Sequence, residues 1–140
     1  MNFHSRGWSS VYVLINEEKL ERRDPFIEAY FTLSHKVILL KESVSNTKRK
    51  KVSNGLITQN NLAHFVLIGQ LGKYIDQDTH SVLRLEEILE SVFSIIHHAK
   101  DLIPFNCVLV ECRPEIMSLY EKCGFSYLQT DDFVQMIKKI

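Results

Sequence analysis

Residues Cys107–Phe125, CVLVECRPEIMSLYEKCGF, decide the fold, because they put a buried strand, a sharp crossing and a short helix into one segment. The run Cys107–Cys112 is apolar apart from Glu111 and rich in valine, which suits a strand covered on both faces. Pro114 fixes the turn that follows, since proline is favoured in a first helical turn, where its missing N–H has no partner to lose. Ile116, Leu119, Tyr120 and Cys123 then recur at helical spacing, and Gly124 can end a helix in a left-handed conformation. The expected helix is short, Glu115–Cys123. Tyr120 has no polar partner close in sequence, so its hydroxyl is expected to find one in space.

Upstream, His64–Leu71 reads as a second buried strand, and Gly69 inside it marks a bulge or a close backbone approach. Leu85, Ile88, Leu89, Val92, Phe93, Ile96 and Ala99 trace one face of a helix, with Glu86, Glu87 and Glu90 on the other. Thr79 and Ser81 are its candidate N-caps. Ser10–Asn16 alternates as a first strand, Glu17–Asp24 reads as a charged, solvated turn, and Pro25 opens a second extended run through Leu40 that completes a hairpin. Glu28 and Lys36 are expected to point outward from it. Phe125–Leu128 and Phe133–Ile137 read as closing strands. Together these elements predict an α/β (α+β) fold, a mixed, mostly antiparallel sheet with helices on both faces.

Lys41–Asn61 breaks the pattern, with little apolar periodicity around the basic knot Lys48-Arg49-Lys50-Lys51. It reads as a surface excursion, either a solvated loop or frayed turn, or a phosphate-binding patch for RNA or a nucleotide. No aromatic is interleaved with these cations to stack on a base, so RNA is the minor reading.

At 140 residues the chain is expected to form one domain, large enough to bury roughly 70% of its unfolded surface without a metal or disulfide staple. Apolar residues make up 45% and charged ones 24%, an ordinary soluble composition. Lys plus Arg equals Asp plus Glu, so no global field attracts nucleic acid or an anionic membrane, and any polyanion site must be local. Cys107, Cys112 and Cys123 are odd in number, sit in apolar contexts and lack CxxC spacing, which favours reduced thiols in a cytoplasmic protein. No apolar run reaches spanning length, and Met1–Gly7 has no signal-peptide core. His97 and His98 diverge by about 100° on a helix and so are not expected to share a metal.

The string Leu119-Tyr120-Glu121-Lys122-Cys123-Gly124-Phe125 resembles the LYEKxGF signature that closes the acyl-CoA-binding core of the GNAT family of N-acetyltransferases. Phe65–Gly72 (FVLIGQLG) is similar to that family's central strand, and Ala29–Val37 (AYFTLSHKV) to the strand before it. The resemblance implies a bulged central strand that splays from its parallel neighbour, leaving backbone groups that pantetheine amides satisfy. It places Gln70, Leu71 and Gly72 against pantetheine from acetyl-CoA. The expected reaction is transfer of the acetyl group to an amine by direct attack, with backbone N–H near Leu71 meeting the charge that develops on the carbonyl oxygen. Tyr120 is implied to protonate the departing thiolate. No sequence cue singles out the base; Glu111 and His64 are candidates, and water is the alternative. Nothing in the cysteines suggests a nucleophile.

Two departures qualify the resemblance. The family's pyrophosphate turn carries glycines, but Lys73–Arg84 (KYIDQDTHSVLR) has none, and Asp76 and Asp78 add like charge. The donors left are N–H groups near His80–Leu83 and the cations of Lys73 and Arg84. The family's usual opening strand and helices do not fit within Met1–Gly7, so the domain reads as truncated at its start. Ser10–Asn16 is then expected to be an exposed edge that a second copy or an N-terminal partner segment could cover. Rival readings are a weakly active or non-catalytic CoA-binding protein of the same fold, and a toxin-like acetyltransferase of aminoacyl-tRNA using Lys48–Lys51 as its polyanion contact.

Overall fold

The computed structural model describes residues 9–23, 27–53, 61–73, 84–102 and 105–140. Pro25, Met1–Gly7, the candidate caps Thr79 and Ser81, and most of the glycine-free turn lie outside them. Six strands form one sheet: β1 (Ser10–Ile15), β2 (Ile27–Leu39), β3 (Leu62–Lys73), β4 (Cys107–Cys112), β5 (Ser126–Thr130) and β6 (Val134–Lys139). Their spatial order is β1-β2-β3-β4-β6-β5, with β3 and β4 parallel and every other neighbour antiparallel. This is the expected mixed, mostly antiparallel sheet, with β1 at one edge.

Helix α3 (Leu85–Lys100) lies between β3 and β4 in the chain, in the crossover that a parallel pair requires. Its Ile88, Leu89, Val92 and Ile96 pack with Ala29, Phe31, Ile68, Val108 and Val110 to form the core on one face. On the opposite face Ile38, Ala63, Phe65, Cys107 and Leu109 meet Val44 and Val52. β4 therefore alternates between two buried cores, the physical reason its sequence is almost uniformly apolar.

Several local expectations are corrected. Glu17–Glu21 is a short helix, α1, capped by the Asn16 side chain, which accepts from Lys19 N–H at 3.1 Å. The excursion after β2 contains α2 (Asn46–Ser53), whose Val52 is buried, so it closes the second core rather than standing in solvent. Glu28 and Lys36 are half-buried; Glu28 accepts from the Asn16 amide at 3.0 Å. The segment after β4 is a 3-10 turn, Pro114–Ile116, followed by α4, Met117–Lys122. Gly124 has φ of 91°, the left-handed conformation its glycine allows. Among the described residues no helix is long and apolar enough to cross a membrane.

Candidate functional site at the splayed end of the parallel strands

Parallel pairing between β3 and β4 ends at Ile68 opposite Val110, yet β3 continues to Lys73, still paired with β2 through Ala29. The residues Gly69–Gly72 thus lie beyond the end of the ladder with β4. The cause is a bulge at Gly69 and Gln70, which together oppose the single residue Thr32. Gln70 N–H donates to Thr32 Oγ1 at 2.8 Å, and a Cβ on Gly69 would lie 2.8 Å from that oxygen. Only glycine leaves room for the hydroxyl to replace a ladder carbonyl. Thr32, which sequence reasoning passed over, is therefore the residue that holds the bulge.

Beyond the bulge, Leu71 pairs with Phe31 and packs against the α3-side core, while Gly72 pairs with Tyr30. The Tyr30 ring lies over Gly72, and a Cβ there would meet the ring at 2.4 Å. Lys73 ends the strand, exposed. Arg84 is the N-cap of α3, in place of Thr79 or Ser81, and its N–H donates to Glu87 Oε2 at 2.9 Å. With Glu86 and Glu87 in its first turn, α3 satisfies its N-terminal dipole with its own carboxylates.

Tyr120 projects from α4 to the α3 side of the sheet, its ring edge-on to Phe125 at 5.5 Å. Among the described residues its hydroxyl has no hydrogen-bond partner, contrary to expectation. Burial pushes its pKa up, and Cys112 and Cys123 nearby add to the rise. The hydroxyl is thus kept protonated, as a donor must be, but it is a weaker acid than free tyrosine.

Glu111 sits on the other face. Its Oε1 accepts from Lys36 Nζ at 2.6 Å and its Oε2 from Gln135 Nε2 at 3.1 Å. On β2, Thr32, Ser34 and Lys36 are half-buried and alternate with Phe31, Leu33 and His35, so a polar row runs from the bulge toward Glu111. Beside its far end lies a cavity of about 320 Å³, lined by Lys36, Leu39, Lys41, Gln129, Asp131 and Gln135 among others. Another cavity, about 360 Å³, lies between α3 and β6 and touches neither Tyr120 nor Glu111. His64, the other base candidate, lies on the opposite face from this row: it stands exposed on β3 at 3.0 Å from His35, with which it stacks.

The basic knot is split by folding. Arg49 turns inward, its guanidinium donating to the carbonyls of Val44 and Lys41 and to Asn61 Oδ1. Lys48 instead sits 5.7 Å from the centre of the exposed Tyr127 ring on β5. Among the described residues no three His, Cys, Asp or Glu side chains converge as a metal site would require.

No protein-family model matches the sequence, and neither does any curated protein. Solved structures do match. A tyrosine-to-phenylalanine mutant of KacT superposes with a TM-score of 0.71 at 18% identity, over 97% of this chain and 74% of that one. AtaT complexed with acetyl-methionyl-tRNAfMet gives 0.71 at 17% identity, over 97% and 74%. A mutant AtaT toxin bound to acetyl-CoA and the C-terminus of the antitoxin AtaR gives 0.63 at 12% identity, over 97% and 71%. At these identities the likeness establishes the fold, which is that of the GNAT acetyltransferases.

Proposed function

We propose that this chain is an N-acetyltransferase that moves an acetyl group from acetyl-CoA to an amine by direct attack. The observation that carries the reading is the bulge-driven splay, which carries Gly69–Gly72 past the end of the β3–β4 ladder. A strand edge of that kind suits the amides of pantetheine, because buried backbone donors and acceptors need partners. Gln70, Leu71 and Gly72 would line that arm, with Lys73 and Arg84 toward the diphosphate end. Acetyl-CoA supplies the acetyl group as a thioester. AtaT, which shares the fold, was solved with acetyl-CoA.

The chain's residues divide the proton traffic between the two sheet faces. As the amine nitrogen bonds to the carbonyl carbon, a proton leaves nitrogen for Glu111, directly or through water, on the polar face. As the C–S bond breaks, the sulfur takes its proton from the Tyr120 hydroxyl on the α3 face. Entry and departure on opposite sides of the carbonyl suit direct displacement, with no residue acylated. Because burial raises the Tyr120 pKa, the transfer to a thiolate is uphill by more than the reference values of about 10 and 8.5 imply, so positioning has to compensate.

For the acceptor, one observation favours an amine carried on RNA. Folding brings Tyr127 to Lys48, so the cations of α2 acquire the stacking aromatic that their own segment lacks. AtaT, of the same fold, was solved with acetyl-methionyl-tRNAfMet. The test of the cofactor reading is thermal unfolding with acetyl-CoA. A ligand at a hundredfold its Kd stabilises by about 2.7 kcal/mol, and no shift at millimolar acetyl-CoA would overturn the reading.

A further inference from the structure

Gln129 and Gln135 are the two polar side chains buried among the described residues, at 3% and 2% exposure. Burying an amide is costly unless every donor and acceptor is met, so a fold that buries two places them in a network. Here the network is directional. Gln129 Oε1 accepts from Lys41 N–H at 2.9 Å, and its Nε2 donates to Leu39 O at 3.3 Å and to Gln135 Oε1 at 2.9 Å. Gln135 Nε2 then donates to Glu111 Oε2 at 3.1 Å. The chain begins on the backbone at the end of β2 and finishes on the carboxylate at the splayed end of β4.

We infer that Gln135, oriented by Gln129, is a positioning residue that fixes the Glu111 carboxylate for proton removal from the acceptor amine. The inference rests on the acetyltransferase reading. Gln135 and Glu111 are cross-strand partners on β6 and β4, so their side chains share one face, and the Gln129 amide leaves Gln135 one way to point its NH₂. Lys36 holds the other oxygen. Each carboxylate oxygen keeps a lone pair for the amine proton or a bridging water, since an ionised carboxylate offers about four acceptor sites. Lys36 alone, a flexible side chain over a third exposed, would leave the carboxylate free to turn about that single contact.

The experiment is a double-mutant cycle on turnover with acetyl-CoA and an amine acceptor panel, free and tRNA-borne. Gln135→Met keeps side-chain length and removes the donor. We expect kcat to fall about 10- to 100-fold, the scale of a small misplacement of a reacting group, with the acetyl-CoA Kd unchanged. In a Glu111→Gln background the same substitution should cost nothing further, because the residue it acts through is already gone. Should Gln135→Met not fold, Gln135→Asn keeps the amide but falls one methylene short of Glu111 and takes its place. Wild-type turnover in Gln135→Met, or an equal loss with and without Glu111, overturns the positioning role alone. Absence of turnover in the parent chain overturns the acetyltransferase reading and the role with it.

Discussion

Glu111 and Tyr120, only nine residues apart, lie on opposite faces of the sheet at the splayed end of β4. Glu111 points toward Lys36 and Gln135, while Tyr120 packs with Phe125 and the α3-side core. This separation gives each residue a distinct partner in the proposed reaction and makes their substitutions separable in effect.

Tyr120→Phe keeps the ring and its edge contact with Phe125. Its hydroxyl has no described hydrogen-bond partner, so the stability change should stay below about 1 kcal/mol, the typical net value of one bond. Acetyl-CoA affinity should be unaltered, and kcat should fall roughly a hundredfold to ten-thousandfold, the usual weight of a positioned general acid. A mutant turning over at nearly the parent rate would remove Tyr120 from the mechanism.

Thr32→Val removes the acceptor for Gln70 N–H while keeping the β-branched shape. The loss of one bond beside solvent should cost about 1 kcal/mol. Acetyl-CoA should bind at least about tenfold more weakly if bulge geometry presents the strand edge, a factor equal to about 1.4 kcal/mol. Unchanged affinity measured by calorimetry, in a folded variant, would mean the bulge does not set the cofactor arm.

Replacing Lys48, Lys50 and Lys51 with alanine, and sparing the inward-facing Arg49, should weaken tRNA binding and flatten its dependence on salt. Each lost phosphate contact lowers the magnitude of the log–log slope by about 0.7 to 0.9. An identical slope in the triple variant would show that α2 does not contact RNA. Arg49→Ala should instead act on stability, because its guanidinium ties Lys41, Val44 and Asn61 together.

Stability should decline in alkaline solution. Burial is the leading cause that pushes Cys107, Cys112, Cys123 and Tyr120 up, so the folded chain holds these protons more tightly than the unfolded one. Their contribution is complete below the ordinary thiol value of about 8.5, and is lost as pH climbs through the folded values, with Tyr120 joining above about 10. Thermal melts across that range should show a falling Tm, with a shallower fall in Cys112→Val. A level Tm would contradict the upward shifts assigned to these groups.

The succession of the six strands along the chain and the two-sided burial of β4 could be read from the sequence, because periodicity and β-branched runs are local properties that survive folding unchanged. Gly69 likewise announced its bulge, since a glycine inside an apolar strand has few other uses. What answers that bulge is Thr32, thirty-seven positions earlier, and no spacing rule links a threonine to the backbone N–H it will accept. The same holds for α2: its basic surface pattern resembles a solvated loop until Val52 meets the second core, and its stacking partner Tyr127 comes from β5. Glu111 could be picked out as an isolated charge in a buried strand. That it is held by Lys36 and by a buried glutamine pair depended on register across β2, β4 and β6, because hydrogen-bond partners on neighbouring strands are set by how the sheet is assembled and not by distance along the chain.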